Sequence, residues 1–461
     1  MIRHLRASQH CRGIAYVAAM ILLAAFSALG VAMAAFCNLS LRKSANYCAV
    51  VDARLEAESG AAFMLERLGT VRLPGTTTET TFAAYLLEVL GEKLNGTSNL
   101  AGQSVTVVDG AVCVPQITLG AGSFSSRFNW ASESRCRMVV QGTVRGVSRR
   151  IAMDLALVPQ QPLVFDYGLA SRGKISISGN AKIMGVNYPG EASVLSATRE
   201  HTEAIHVDGN VVISGDLGVS EANHTVVITG TPSIAGSTDP EVYSQHIHFG
   251  VDTPDFPGID VSPLTALATN VVDATTDTSS PGLTFSNIRI AAGTNPTFAS
   301  DVVINGAVYV EAPNIVYFEA KTTLNGFVVT QDSDQPVEDC QIFFGGHVEA
   351  FGVDALPDTE EFAPVKQQTG TFVLAPGFAV TFGGRFSAVN GTIAADQLTF
   401  SGTAEGIIRG AVIGLKDRMT KLDGNVEILV DRQNADPDPA GFVKSFALEP
   451  DPASYAELVG G

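Results

Sequence analysis

The chain of 461 residues has few charged residues, and most of its charges are of one sign. Charged residues make up 16% of it, and 47 acidic against 29 basic residues give a formal net charge of −18 at pH 7. A negative surface repels phosphates, so we expect no nucleic-acid partner. Cysteine is also scarce: the six present form no CxxC pair and no zinc-finger spacing.

The motifs of common enzyme classes are absent as well. We find no G-x-S-x-G elbow, no phosphate-binding glycine loop before a helix and no convincing nucleophile–base pair. The sequence therefore predicts neither an enzymatic activity nor a cofactor. One enzymatic alternative stays open: a membrane-anchored polysaccharide lyase or hydrolase whose acidic groups converge across the coils of a β-helix. Asp396 and Asp423 are better explained as turn residues.

What the chain does have is a long uncharged segment near its N-terminus, at residues 14–37. This is long enough to cross a bilayer, which takes about 20 apolar residues. Arg3, Arg6 and Arg12 precede the segment and favour a cytoplasmic N-terminus. The alternative is an ordinary secretory signal peptide, with cleavage after the small residues at 32–34.

Helical periodicity continues beyond the apolar segment. Apolar residues recur at steps of three, four or seven, and charged residues mostly fill the other positions. We expect a single helix that Gly69 ends. Its predicted apolar face comprises Leu41, Ala45, Cys48, Val51, Leu55, Ala62 and Leu65.

Two segments of this helix carry a family resemblance. Arg12-Gly13-Ile14-Ala15-Tyr16-Val17 opens the apolar run, and Leu55-Glu56-Ala57-Glu58-Ser59-Gly60-Ala61 follows it. Together they resemble the N-terminus of type IV pilins, and most closely that of PilX-like minor pilins. The specific resemblance is confined to residues 1–70.

The resemblance implies a processing site and a set of partners. In that family a prepilin peptidase cuts after the glycine and methylates the new N-terminus, which places the cut here between Gly13 and Ile14. Residues 1–13 would then be the leader and residues 14–70 the transmembrane and stalk helix. Other pilin subunits and the pilus assembly machinery are the implied partners.

One position departs from the family. Major pilins carry a glutamate at the fifth mature residue, where it pairs with the amine of a neighbouring subunit, and this chain has Ala18 there. Removing one partner of a buried ion pair costs about 3–5 kcal/mol. We therefore expect a rare component or a tip subunit rather than the repeating unit of a fibre.

Residues 71–160 predict a small α+β domain, similar in architecture to a pilin head. A helix is expected at 81–94 and strands at 104–108, 112–119, 125–130, 137–144 and 148–157. Cys113 and Cys136 fall in or beside these strands, outside the membrane, where disulfides persist, so we predict that they pair. The alternative is two small buried thiols.

From residue 161 to 431 short β-branched runs end repeatedly at glycine, with a repeat of about 20 residues. This spacing predicts a right-handed parallel β-helix, a solenoid in which stacked coils bury one continuous interior. The alternative is an antiparallel β-sandwich with glycine-rich turns. Residues 240–300 interrupt the repeat and include a predicted helix at 264–272. Alternating Asp and Pro near residue 436 mark the end of the fold, so residues 432–461 are expected to form a tail.

One group of side chains in the interruption suggests a metal. His246 and His248 lie two residues apart, which places them on one face of a strand, and Asp252 and Asp255 follow closely. Together they could bind zinc or a similar ion. The alternative is an ordinary polar surface.

The sequence as a whole thus predicts a mainly β protein with a long N-terminal helix. Its expected role is that of a minor pilin-like structural or adhesive subunit, held in the bacterial inner membrane and then displayed on a pilus or the cell surface. A surface glycan or protein would be the ligand of the solenoid. A scaffold that polymerises through solenoid ends, without a pilus, is the remaining alternative.

Overall fold

The computed structural model describes residues 10–458, except for 76, 133, 161, 252–255 and 437, and describes side chains from residue 15 onward. The chain divides into two compact units. The first comprises Met1–Leu73, Thr77–Val158 and Ala447–Gly461, and the second Pro74–Thr76 and Pro159–Phe446. The second unit is therefore inserted into the first.

The first unit begins with the long helix α1 (His10–Leu68). Its length is about 88 Å at about 1.5 Å per residue. The helix ends at Gly69, whose N–H donates to the Leu65 carbonyl at 2.9 Å. This confirms the predicted continuous helix and its end. Side chains 15–48 are exposed, whereas from Ala49 onward one face packs against a sheet.

That sheet and a second helix form the rest of the first unit, as the sequence predicted to within a few residues. The helix is α2 (Glu79–Leu94), which begins after Thr78 and buries Phe82, Leu86, Leu90 and Leu94. The strands are β1 (Arg72–Pro74), β2 (Thr106–Val108), β3 (Ala111–Leu119), β4 (Gly122–Ser132), β5 (Arg135–Val144) and β6 (Val147–Gln160). Strands β2 to β6 pair in sequence order, and each pair is antiparallel.

The sheet approaches α1 very closely at Gly142 of β5. A Cβ atom at this position would lie 2.2 Å from the Ala53 carbonyl oxygen and 2.4 Å from the Ala57 nitrogen, both main-chain atoms. Only a glycine on the strand and small residues on the helix permit this distance. The buried face of α1 accordingly consists of Ala49, Ala53, Ala57, Gly60, Ala61, Met64 and Leu68.

The second unit consists of short strands with two short helices. In chain order its elements are β7 (Leu169–Ser171), β8 (Ile175–Gly179), β9 (Lys182–Gly185), β10 (Val194–Ser196), β11 (Glu203–Gly209), β12 (Val212–Ile213), β13 (Leu217–Val219), β14 (Thr225–Gly230), β15 (Ser233–Ile234), α3 (Pro240–Tyr243), β16 (Ile247–Phe249), β17 (Gly258–Ile259), α4 (Ser262–Thr265), β18 (Asn270–Val272), β19 (Leu283–Ile290), β20 (Thr297–Phe298), β21 (Val302–Val310), β22 (Asn314–Phe318), β23 (Thr322–Thr330), β24 (Cys340–Phe344), β25 (Val348–Ala350), β26 (Thr371–Phe382), β27 (Val389–Asn390), β28 (Thr392–Gly402), β29 (Glu405–Arg409), β30 (Val412–Gly414), β31 (Thr420–Gly424), β32 (Glu427–Val430) and β33 (Phe442–Val443).

These strands pair in parallel with strands one repeat away. In β21 and β23, for example, Val302 lies opposite Thr322, and the register holds as far as Val310 opposite Thr330. Among the strand pairs that the described residues form in this unit, only β17 with β33 is antiparallel. An antiparallel sandwich is therefore wrong, and parallel pairing at this interval fits a β-helix.

The coils do not stack in chain order. Strand β7 pairs with β10 on one side and β30 on the other, and β8 pairs with β11 and β31. The chain thus stacks away from β7 through β10, β13 and β16, and a second run from β18 returns to stack on β7 from the opposite side. The interruption at 240–300 contains this crossover. The helix predicted at 264–272 was wrong, because α4 ends at Thr265 and β18 occupies residues 270–272.

A column of phenylalanines fills part of the interior. Phe298, Phe318, Phe344, Phe382 and Phe400 occupy equivalent positions on successive paired strands, with ring centroids 4.9–5.1 Å apart and planes within 6–13° of parallel. All five are buried. Fully buried aromatic side chains contribute strongly to stability, and offset stacking adds about 0.5–1.5 kcal/mol per pair.

Glycine corners allow the coils to stack. Gly179, Gly209 and Gly230 are aligned on β8, β11 and β14, with φ of 81°, 98° and 85°. A Cβ atom on Gly209 would lie 2.5 Å from the Gly179 carbonyl oxygen. Both the backbone conformation and the close approach of neighbouring coils therefore require glycine there.

The last strand, β34 (Ser445–Leu458), returns to the sheet of the first unit and lies between β1 and β6. The Ser454 hydroxyl accepts the Asp154 N–H at 2.7 Å, and the Tyr455 hydroxyl donates to Glu58 of α1 at 3.0 Å. The predicted tail at 432–461 was therefore wrong, because its second half is a strand inside a sheet. Pro450 and Pro452 obscured this strand, since proline is unusual within a central strand.

Candidate functional site: the apolar helix

The N-terminal half of α1 exposes an extensive apolar surface. The described part of the chain holds one helix, Ala15–Leu68, that is long and apolar enough to cross a membrane. Its exposed large side chains are Tyr16, Val17, Met20, Ile21, Leu22, Leu23, Phe26, Leu29, Val31, Met33, Phe36, Leu39, Leu41 and Tyr47. A surface of this kind is covered by lipid or by other protein.

The apolar surface continues past the length that a bilayer covers. Val51 and Leu55 lie one turn apart and expose 37% and 53% of their area. Both belong to the apolar face predicted from the sequence, yet neither faces the sheet of its own chain. The face of α1 that packs on the sheet carries small residues instead, because Gly142 brings the strand within contact distance of the helix backbone. Val51 and Leu55 remain exposed to solvent.

The predicted cleavage site lies at the start of α1. The backbone at Gly13 and Ile14 is helical, while the side chains of residues 10–14 lie outside the described part. Ala18 is exposed on the helix.

One ion pair and one hydrogen bond join α1 to the C-terminal strand within the first unit. Arg54 contacts Glu58 at 3.0 Å and Glu457 at 2.6 Å. The hydrogen bond from Arg54, together with the one from the Tyr455 hydroxyl, lowers the pKa of Glu58 although partial burial opposes it. These contacts fix the orientation of the stalk relative to its own sheet, so the exposed face of the helix points in a defined direction.

His246 and His248 do lie on one face, and they share a carboxylate that the sequence did not suggest. His246 Nδ1 lies 2.8 Å from Oδ1 of Asp216, and His248 Nε2 lies 3.4 Å from Oδ2. Strand β16 pairs with β13 so that Ile247 is opposite Leu217, which places Asp216 beside His246. Asp252 and Asp255 lie outside the described residues. Among the residues that are described, no group of three or more ligands is arranged to hold a metal ion.

The prediction of a disulfide between Cys113 and Cys136 was wrong. Both thiols are free. Cys113 lies on β3 opposite Arg127 of β4, and Cys136 lies on β5 opposite Trp130 of β4, so a whole strand separates them. Adjacent strands are about 4.8 Å apart, so β3 and β5, with β4 between them, are about 10 Å apart. A disulfide joins Cα atoms no more than about 7 Å apart, so these two cysteines are beyond its reach. Burial raises the pKa of the Cys136 thiol to about 12.

Neither carboxylate interpreted as a turn residue lies in a turn. Asp396 is on β28, is 6% exposed, and its Oδ1 has no partner among the described residues. Burial raises its pKa, although a hydrogen bond from the Gly377 N–H opposes this. Asp423 on β31 accepts from Lys421 and from Ser178 of the neighbouring coil, which lower its pKa.

Two buried carboxylates, Glu191 and Asp431, lie where the first coil meets the last, and Asn187 bridges them. Glu191 is fully buried and accepts hydrogen bonds from the main-chain N–H groups of Asn187 and Arg432 at 2.8 and 3.0 Å. The Asn187 amide also reaches Asp431 at 3.0 Å. Burial opposes the charge on Glu191, but these hydrogen bonds outweigh it and lower the pKa. Both carboxylates accept hydrogen bonds in this arrangement, which joins the two runs of coils.

No protein-family model and no curated protein matches the chain. Among solved structures, the chain is similar to the competence-associated pilin ComZ from Thermus thermophilus. The match has 12% sequence identity, covers 89% of this chain and 98% of that one, and has a TM-score of 0.22. A superposition at that score does not establish a common fold.

Sequence reasoning missed Asp216 and the Glu191–Asp431 group for the same reason. Each contact joins residues on neighbouring coils, and the sequence separation depends on the loops between them. Asp216 and His246 are 30 residues apart, which is longer than the glycine repeat. Alignment of Leu217-Gly218-Val219 with Ile247-His248-Phe249 was the available signal, since the two triplets pair in register.

Proposed function

We propose that the chain is a minor pilin-like structural or adhesive subunit of a type IV pilus or a related envelope filament. The observation that carries the proposal is the exposed apolar surface of α1, which extends beyond a bilayer span to Val51 and Leu55. A lipid anchor alone does not require exposed apolar residues at those positions. Packing against the helices of other subunits does.

In this proposal the helix has two successive environments. It first spans the inner membrane with its N-terminus in the cytoplasm, where prepilin peptidase removes residues 1–13 and leaves Ile14 as the mature terminus. The assembly machinery then moves the helix into a filament, where neighbouring pilin helices cover the same side chains. Ala18 offers no carboxylate to a neighbouring amine, which suits a rare or terminal position.

The second unit is the displayed part. We propose that it is a right-handed parallel β-helix, supported by the parallel pairing at a constant register and by the aligned glycine corners. It presents a rigid surface that a glycan or protein binds, and the proposal assigns no reaction to it.

The test is mass spectrometry of the N-terminus of the protein purified from its native membrane. N-methylated Ile14 is the expected result. A terminus at Ala35 would mean ordinary secretion and would refute the assembly role of the helix.

A second measurement separates anchoring from packing. We expect Val51→Ser/Leu55→Ser to abolish recovery of the subunit in sheared filaments while leaving its membrane level unchanged, because both residues lie outside the apolar run. The matched control is Ser59→Ala, an exposed position on the same helix. Normal filament incorporation of the double variant would contradict helix packing through this face.

A further inference from the structure

The second unit contains a polar cleft that the assembly role leaves without a purpose. Its volume is about 590 Å³, and its walls come from residues 352–354, 368–371, 390–391 and 434–436, with Arg409. Small-molecule sites usually measure about 300–1,000 Å³. The cleft is therefore large enough for a ligand of several rings.

Two polar side chains are held in position at the cleft. Arg409 Nη1 donates to the Asn390 side-chain oxygen at 2.8 Å, and its Nε lies 3.6 Å from buried Asp431. The Asn390 amide donates in turn to the Phe351 carbonyl at 3.0 Å. Arg409 Nη2 has no acceptor among the described residues, and the side chain is 39% exposed. The guanidinium group is thus fixed in place with donors to spare.

Two further side chains contribute hydrogen-bonding capacity. Asp354 is exposed and Gln368 half-buried, and neither side chain has a hydrogen-bond partner among the described residues. Gly370, which is half-buried and has no side chain, leaves its main chain accessible at the cleft wall. A ligand there would meet a guanidinium group, amides, a carboxylate and main-chain groups.

The charge in the cleft restricts the class of ligand. One guanidinium group, Arg409, faces two carboxylates, Asp354 and Asp436, so no positive excess is present to attract a phosphate or another polyanion. The polar walls are equally unsuited to an apolar molecule. Amides, carboxylates and a guanidinium group are instead matched to hydroxyl groups, which both donate and accept.

We propose that this cleft binds a neutral oligosaccharide. The hydroxyls of the sugar would contact Asp354, Gln368 and the free edge of Arg409. The site lies wholly within the second unit and stands whether or not the apolar helix enters a filament.

The test uses the full chain in a zwitterionic detergent without a sugar head group. Saturation-transfer NMR against neutral gluco-, galacto-, manno- and N-acetylglucosamine oligosaccharides identifies the ligand, and calorimetry measures its Kd. Asp354→Ala/Gln368→Ala removes contacts whose loss typically weakens binding about ten-fold or more. The matched control is Asp334→Ala/Gln335→Ala, an exposed pair outside the cleft.

The expected result is binding of at least one neutral oligosaccharide that the cleft variant weakens ten-fold and the control leaves unchanged. Asp354→Asn, which keeps the shape of the side chain, repeats the measurement should the double variant unfold. Failure of every neutral oligosaccharide to bind, equal affinity in the cleft variants, or binding of acidic oligosaccharides alone would overturn the assignment. N-terminal processing is unaffected by any of these outcomes.

Discussion

Replacing Gly142 by alanine should detach the stalk helix from its sheet. The added Cβ would lie 2.2 and 2.4 Å from main-chain atoms of Ala53 and Ala57, so no side-chain rotation relieves the overlap. Overpacking of a well-packed interior costs about 1–3 kcal/mol, and we expect the upper end because the obstacle is backbone. For a urea dependence of about 1–3 kcal/mol per molar, a loss of about 3 kcal/mol would lower the unfolding midpoint by about 1–3 M.

The chain provides its own probe for this measurement. Its single tryptophan, Trp130, lies on β4 of the first unit with its ring 5.3 Å from that of Phe82. Tryptophan fluorescence in the full chain therefore follows unfolding of the first unit. Gly69→Ala is the matched control, because its Cβ would approach no atom closer than 3.4 Å.

A second substitution on the helix tests whether the clash is with the backbone or with a side chain. Ala53→Gly should fail to rescue Gly142→Ala, since the contact is with the Ala53 carbonyl and not with its methyl group. A change in free energy of unfolding below about 0.5 kcal/mol for Gly142→Ala, the usual spread for surface substitutions, would refute the close approach.

Three further predictions concern the interiors of the two units. Phe344→Ala should destabilise the second unit by about 3–5 kcal/mol in calorimetry. Phe343→Ala, on the outward face of the same strand, should reduce the stability much less, and equal losses of stability in the two variants would contradict the phenylalanine column. Because the pKa of Glu191 is lowered in the folded state, its contribution to stability is present above the ordinary carboxyl pKa of about 4.3 and is lost as the pH falls through the folded-state pKa. Glu191→Gln should therefore flatten the acid limb of a curve of stability against pH. Without reductant, iodoacetamide at pH 8 should alkylate Cys113 in the folded protein and Cys136 only after unfolding, and a mass shift showing a bond between them would contradict the structure.

The helices and most strands between residues 14 and 160 were predictable because their signals are local. The 3.6-residue period and Gly69 gave the extent of α1, and alternation with an Arg145-Gly146 turn gave β5 and β6. Which face of α1 is buried was not predictable. That choice depends on Gly142, some 90 residues away, and hydrophobicity alone favoured Val51 and Leu55 over the alanines.

In the second unit the sequence revealed the repeat but not the order of the coils. Glycine spacing predicts that strands pair about 20 residues apart. It carries no information that β7 pairs with β30, almost 250 residues later, nor that Asp216 lies beside His246. Contacts of this kind depend on topology, and no local pattern encodes them.

The position of β34 has a consequence for biosynthesis. A ribosome releases the stalk helix and six strands of the head early, but the strand between β1 and β6 is the last to emerge. The head cannot be completed before the entire insertion has been translated. Glu457, which pairs with Arg54, and Tyr455, which donates to Glu58, are among the last residues to be synthesised. A nonsense codon between residues 160 and 445 would thus yield a product whose first unit lacks the strand between β1 and β6.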